Sequence, residues 1–495
     1  MSTPDATSGV WLGLDLGTQS VRALAVTSSG RTVGTGTQEL SSHRDGPRHE
    51  QDPEQWWAAL SSAAAEAMAT VPAGTLKGVA VDATSGTILL TDRDGVTLTP
   101  ALMYDDTRAT AQTASVNEVG GQVWAELGYQ RMQPAWALPK LLWLLREHPG
   151  LVPGARLAHQ SDFINRRLTG HEVPADLSNA LKSGAHLIDE TWPREVMDKL
   201  EVPQELLPDL VRPGTPIGTV GRAAAAATSI PAGTPVISGA TDGCASQLGA
   251  GAFRVGSWNS VLGTTLVLKG VTRDLIHDPL GVVYSHKAPN GDWLPGGASS
   301  TGAGAISRDF AGRDLDALSL GASAHEPASA LAYPLVSAGE RFPFAAQQAR
   351  GFVLGASTSE ADQFASVLQG VGYIERLCFD YLDLLGAPID GDLILTGGAT
   401  KSAYWSQLRA DILGRPVILP QNAEPALGMA ILAASPGREV SAIAADMVRV
   451  RDTIDPGPGS THRYDDPYIQ LVDELEQRGW LDSGAAAHAK ERTAR

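Results

Sequence analysis

The chain has 495 residues, 43% hydrophobic and 19% charged, a length that exceeds one hydrophobic core and a composition typical of an ordinary globular protein. A formal net charge of −17 argues against nucleic acid and anionic membrane surfaces as partners, because the overall field repels both. Phosphates remain accessible to local groups: backbone N–H donors, a few arginines and a divalent metal.

No apolar run is long enough to span a bilayer, and residues 1–9 lack the basic start and apolar segment of a signal peptide, so a cytoplasmic location is expected. Cys244 and Cys378 have no CxxC spacing and read as buried small hydrophobes, not as a disulfide or zinc pair.

The first informative stretch is VWLGLDLGTQSVRALAV, from Val10 to Val26. An apolar run delivers Asp15 into a turn of Gly17, Thr18, Gln19 and Ser20, and a second apolar run follows. This predicts a strand, a phosphate-sized loop and a second strand, with Arg31 to Leu40 as a third. Asp52 before Pro53 marks a helix start, and the Ala-rich segment continues it to Ala69. LKGVAVDATSG is a strand that runs out into Thr84, Ser85 and Gly86. The Asp94-Gly95 pair predicts a hairpin ending at Tyr104, Asp105, Asp106 and Arg108. Residues 110–200 are largely helical by period and read as an insertion beside a sheet.

At Pro235 the opening pattern returns. PVISGATDG is a strand ending in Asp242, and SWNSVLGTTLVLKGV is a strand pair around Gly263, Thr264 and Thr265. The chain therefore reads as an internal duplication. Residues 281–306 add strands, including DWLPGGA with Gly297. Ser357 to Leu385 is a long amphipathic helix. LILTGGATKS places Gly397, Gly398, Ala399 and Ser402 at a strand-to-helix turn suited to an anionic or planar ligand. EPALGMAILAA is a helix, and the chain after Gly437 reads as peripheral, with a frayed end at AKERTAR.

Each motif has a plainer reading. Asp15 with Gly17 to Ser20 makes an acceptable hairpin turn, Asp242 an acceptable helix cap, and Thr84, Ser85 and Gly86 with Asp105, Asp106 and Arg108 solvated loops. The repeat of the Gly-Thr loop favours function, since two such loops can grip a nucleotide's phosphates with backbone N–H groups and hydroxyls. No G-x-G-x-x-G lies at a strand-to-helix junction and no Walker A sequence occurs, which disfavours Rossmann and P-loop enzymes.

Taken in order, DLGTQS, DATSG, YDDTR, GATDG, LGTT, TGGATKS and EPALGMA resemble the FGGY family of carbohydrate kinases over roughly residues 10–470. The resemblance implies an α/β fold of two actin-like domains, of the ribonuclease H-like hexokinase, Hsp70 and actin superfamily, with an interdomain cleft. It implies an N-terminal sugar-binding domain at 10–243, a C-terminal nucleotide-binding domain at 244–437 and a peripheral segment at 438–495. ATP and Mg2+ are the implied co-substrate and metal, with Asp242 as catalytic base and Asp15 and Asp242 at the metal. Asp15, Thr84, Ser85, Gly86, Arg108 and Asp242 are the implied sugar contacts. Gly17, Thr18, Gln19, Ser20, Gly263, Thr264, Thr265, Gly297, Gly397, Gly398, Ala399 and Ser402 are the implied nucleotide contacts. Gln19 departs from the small residue usual after Gly-Thr, and Ser402 from the usual Asn.

The Met-His pair of xylulokinases after the DATSG strand and the Arg-Glu-Thr signature of glycerol kinases are both missing. DATSGTILL, ALMYDDTRA, HQSDFINRRLTG and GERFPF look instead like D-ribulose kinases. The expected activity is phosphorylation of the C5 hydroxyl of free D-ribulose by a monomer or homodimer. D-xylulose or a polyol as acceptor, or a non-catalytic sugar- or nucleotide-binding regulator on the same scaffold, are the alternatives.

Overall fold

The computed structural model describes residues 9–494, so the signal-peptide reading of residues 1–9 falls outside the described residues except at Gly9. Two compact units result. Unit 1 comprises Met1–Phe253 (described from Gly9), His286–Leu294 and Asn422–Arg449; unit 2 comprises Arg254–Ser285, Pro295–Gln421 and Val450–Arg495.

In unit 1 a six-stranded sheet runs in the order Pro216–Thr219, Pro235–Ile237, Leu76–Ala83, Val10–Leu16, Ser20–Thr27, Thr32–Glu39. The last three are an antiparallel meander, while Val10–Leu16, Leu76–Ala83 and Pro235–Ile237 are mutually parallel neighbours. Alternation along Val10–Leu16 sends its side chains to two buried faces. Val10, Leu12, Leu14 and Leu16 join the core that holds Trp56 and Leu60 of the helix Pro53–Met68. Burial of each such large side chain contributes about 1.5–3 kcal/mol. That helix starts as expected, with Pro53 in its first turn and the Asp52 carboxylate accepting from the Glu54 amide at 3.0 Å.

The opposite face of the strand meets the helix Pro425–Ala433. That helix falls inside the domain expected at 244–437 but packs within unit 1, as does the helix Asp242–Ala250. A Cβ built on Gly13 would lie 1.7 Å from the Ala426 carbonyl oxygen, and one on Gly428 would lie 2.1 Å from that of Ala245. Backbone-to-backbone approach through Gly and Ala draws the segment back across the chain, a cause invisible to sequence continuity.

Unit 2 repeats the plan. Trp258–Leu262 and Leu266–Gly270 form an antiparallel hairpin continued by Trp293–Ser299, and Leu393–Thr396 and Val417–Pro420 lie parallel on the other side. The duplication is thus present in topology. Its second copy begins at Trp258, because Pro235–Ile237 completes the first sheet instead of opening the second.

The segment 438–495 is not peripheral. Tyr464, Tyr468, Leu471, Val472 and Leu475 lie in the main core of unit 2, and the helix Ser483–Thr493 buries Ala485, Ala486 and Ala489 where a frayed end is expected from sequence. Among the described residues no helix is long and apolar enough to cross a membrane. Cys244 and Cys378 are both buried, and no disulfide joins them.

Candidate active site

The carboxyl ends of the three parallel strands in unit 1 carry three carboxylates. Strand register sets Asp15 opposite Asp82. The next strand leads, through a parallel bridge between Ala83 and Thr241, to Asp242 at the first turn of the helix Asp242–Ala250. Thr241, not Asp242, is the capping residue, and the Asp242 carboxylate accepts from the neighbouring Gly243 amide at 2.7 Å. The simple-cap reading of Asp242 therefore does not describe this helix.

Burial raises the Asp15 carboxyl to about 6; its hydrogen bond with Asp82 and the charge of Arg22 pull the other way, and Asp242 and Glu424 push further up. Asp82, completely buried, is pushed well above the ordinary carboxylate range by burial first, then by Asp15 and Asp242. Among the described residues, neither Asp82 oxygen meets an N–H or hydroxyl donor. The contact between Asp15 and Asp82 can be a hydrogen bond only with a shared proton; without one, two like charges face each other. Reading the motifs alone misses Asp82, although an acid inside the apolar strand LKGVAVDA is a visible signal.

Such an oxygen-only, mutually repelling set fits a hard divalent cation. Magnesium keeps several waters and uses one or two carboxylates plus substrate phosphates. Among the described residues, no group of three or more His, Cys, Asp or Glu is arranged to hold a metal ion.

Beyond Asp82 the chain makes a tight turn, with the Thr87 amide donating to the Thr84 carbonyl at 3.3 Å and Gly86 at φ +98°. Thr84 is committed internally: its hydroxyl bonds Gln160 Oε1 at 2.7 Å and Thr87 Oγ1 at 2.6 Å. The Ser85 carbonyl accepts from Lys182 Nζ at 3.1 Å and the Gly86 carbonyl from Lys140 Nζ at 2.7 Å. The Ser85 hydroxyl, buried, has no partner. Lys140 also donates to the Met103 carbonyl at 2.7 Å. Burial lowers its ammonium to about 7, opposed by Asp106 and reinforced by Lys182.

Arg108 lies at this end of the unit but is engaged elsewhere. It forms ion pairs with Asp106 and Glu50, both at 2.7 Å, and lies 4.9 Å over the Trp143 ring. Burial works against its charge, and the hydrogen bonds to Asp106 and Glu50 outweigh that and raise its pKa. Its guanidinium braces the very loop in which a sugar contact is expected of it.

The first Gly-Thr loop is closed by the Gly17 amide on the Ser20 carbonyl at 3.1 Å, and Gln51 Nε2 fixes the Thr18 carbonyl at 2.7 Å. Gln19 is exposed at its tip.

In unit 2 the second loop closes in the same way, with the Gly263 amide on the Thr265 carbonyl at 3.1 Å. The amides of Ala303 and Gly304 bond the carbonyls of Gly263 and Thr264 at 2.9 and 3.0 Å. The adjoining segment is held by buried Glu340, which accepts from Ser299 Oγ, the Ser300 amide and Thr301 Oγ1 at 3.1, 2.6 and 3.0 Å. Gly397 has φ +85°, and a Cβ there would stand 2.5 Å from the Leu262 carbonyl oxygen, so only glycine fits; Gly263 and Gly398 instead border open space. Ala399 is buried beneath this turn.

Two expected nucleotide contacts have other duties. Ser402 caps the helix Ala403–Leu413 by accepting from the Trp405 amide at 3.2 Å. Gly297 lies mid-strand, where a Cβ would meet the Phe342 ring at 2.7 Å.

This doubled α/β plan, with carboxylates at the strand ends of one copy and glycine-lined turns in the other, defines the actin-like kinase class. Residues 10–249 match the N-terminal domain, and residues 259–436 the C-terminal domain, of the FGGY family of carbohydrate kinases. The chain belongs to that family and is a phosphotransferase acting on a sugar hydroxyl. It is 30% identical to a xylulose kinase of Streptomyces coelicolor over 88% of this chain and 89% of that protein. Identity to a xylulose kinase of Klebsiella pneumoniae is 28%, over 86% and 89%. The crystal structure of xylulose kinase from Rhodospirillum rubrum superposes with a TM-score of 0.85 at 25% identity, covering 94% of this chain and 98% of that one.

Proposed function

We propose that the protein is an ATP- and magnesium-dependent kinase of a free ketopentose that phosphorylates the C5 hydroxyl, with D-ribulose as the preferred acceptor. The observation that carries this reading is the convergence in unit 1 of Asp15, Asp82 and Asp242 at the strand ends, one step from the turn bearing the unpartnered Ser85 hydroxyl. Asp242 takes the acceptor's proton as the bond to phosphorus forms; Asp15 and Asp242 supply oxygens to magnesium, which neutralises phosphate charge when bound. Gly17 to Ser20 and Gly263 to Thr265 offer backbone donors and hydroxyls to phosphates. Gly397, Gly398 and Ala399 give the nucleoside a surface free of bulky side chains. Thr84, Gly86 and Arg108 shape the acceptor side from behind, and Ser402 and Gly297 support the nucleotide side.

D-ribulose is favoured because the Met-His pair that xylulokinases carry after the DATSG strand is missing. D-xylulose is the second reading, favoured by the names of the relatives. A coupled ADP-release assay across D-ribulose, D-xylulose, pentitols and glycerol is expected to give the highest kcat/KM with D-ribulose. Turnover with D-xylulose far above D-ribulose would overturn the acceptor assignment. Ligand binding without any sugar phosphate formed would favour a regulator and overturn the kinase itself.

A further inference from the structure

The turn Thr84–Thr87 is fastened from behind at nearly every polar group. Gln160 Oε1 accepts from both the amide and the hydroxyl of Thr84, at 3.1 and 2.7 Å, and the Gln160 backbone amide donates to the Thr87 carbonyl at 3.3 Å. The Thr84 carbonyl is taken by the Thr87 amide. The two carbonyls in between, Ser85 and Gly86, are each taken by a lysine ammonium from a different element. Lys182 comes from the short helix Leu181–Ser183 and Lys140 from the helix Ala137–Glu147. The stem of Lys182 also packs against Gly86, where a Cβ would stand 3.1 Å from Lys182 Cδ. What this leaves on the turn is one buried side-chain group without a partner, the Ser85 hydroxyl.

Lys140 is an expensive way to hold a carbonyl. It is fully buried, its ammonium donates to two neutral carbonyls, and a methionine there would fill an apolar helix face without desolvating a charge. A buried charge retained at such cost indicates a geometric task. The second bond of Lys140, to Met103, ties the turn to the strand end that leads into Tyr104–Arg108.

We propose that Lys140 and Lys182 are a two-lysine clamp that fixes the direction of the Ser85 hydroxyl, and thereby selects which acceptor hydroxyl the turn recognises, without touching the acceptor. They are positioning residues. The inference rests on the reading that this turn meets the acceptor.

The test is a double-mutant cycle on the ketopentose with the highest kcat/KM in the acceptor assay, using Lys140→Met, Ser85→Ala and the pair, with KM measured for acceptor and for ATP. Lys140→Met is expected to raise the acceptor KM by about tenfold or more, since a misplacement of about 1 Å can cost a hundredfold. ATP KM should stay within about twofold, as befits a change confined to acceptor binding. In the Ser85→Ala background the same substitution should then add little.

Three results would overturn the clamp: an unchanged acceptor KM in Lys140→Met, equal rises in both KM values, or full additivity with Ser85→Ala. If Ser85→Ala alone leaves the acceptor KM unchanged, the turn does not meet the acceptor, and the placement of the sugar fails along with the clamp. Thermal melts accompany every variant. Lys182→Met, at a half-buried residue, carries the same cycle should Lys140→Met not fold.

Discussion

Asp242→Asn is expected to lower kcat by about 10²–10⁴-fold, the usual contribution of a positioned general base, while the protein folds and melts at least as high as the parent. The carboxamide keeps the shape of the side chain and can still accept from the Gly243 amide, so the first turn of the helix Asp242–Ala250 has no reason to move. What disappears is the capacity to take a proton from an alcohol whose own pKa is far above neutral. The phosphoryl group transfers through a loose transition state, so the proton leaves late and the base acts mainly by orienting the hydroxyl and receiving its proton. Removing the Asp242 charge also relieves Asp15 and Asp82, both of which it pushes upward. The measurement is steady-state ADP release with the best acceptor, alongside a thermal melt. A kcat within fivefold of the parent would sink the assignment, and a collapsed melt would mean that Asp242 is structural.

Much of the fold is legible in the sequence because its signals are local. Apolar runs flanking Gly-Thr turns mark both hairpins, the Asp52-Pro53 pair marks a helix start, and the likeness of the turns at Gly17 and Gly263 marks the duplication. The residues hidden from a sequence reading owe their roles to neighbours far along the chain. Helix Pro425–Ala433 changes unit because Gly13 admits the Ala426 backbone, a contact between positions hundreds of residues apart. Lys140 sits in LPKLLWLL, which reads as an amphipathic helix; only the fold brings the carbonyls of Gly86 and Met103 to its ammonium. Arg108 looks available to a sugar because its partners Glu50 and Asp106 lie in another segment or in the same loop, where pairing is not implied by sequence. The candidate site follows the same division: the Gly-Thr loops and Asp242 are readable as motifs, whereas Asp82 gains its meaning from standing opposite Asp15.

Burial of this carboxylate pair should register as a stability penalty with a defined pH window. The Asp15 carboxyl rises from 3.8 to about 6 on folding. Between those values the native state binds more protons than the unfolded chain, so stability falls as pH rises from about 4 to about 6, and the penalty is fully present at neutral pH. A shift of about two pH units corresponds to about 3 kcal/mol, with Asp82 displaced in the same direction. Asp82→Asn should therefore melt higher than the parent at pH 7, because an amide can donate to Asp15 and carries no charge. Its advantage should shrink toward pH 4, where the parent pair is protonated. Magnesium offers the parent another release, so magnesium chloride at pH 7 should raise the parent's melting temperature more than that of Asp82→Asn. Melts of both proteins across pH 4 to 8, with and without magnesium, test this. A variant less stable than the parent at pH 7, or a difference that does not change with pH, would show that the two carboxylates are already satisfied by the protein. Coupled with loss of turnover in the same variant, the predicted gain would mark this strand-end pair as a site held under electrostatic strain for a cation.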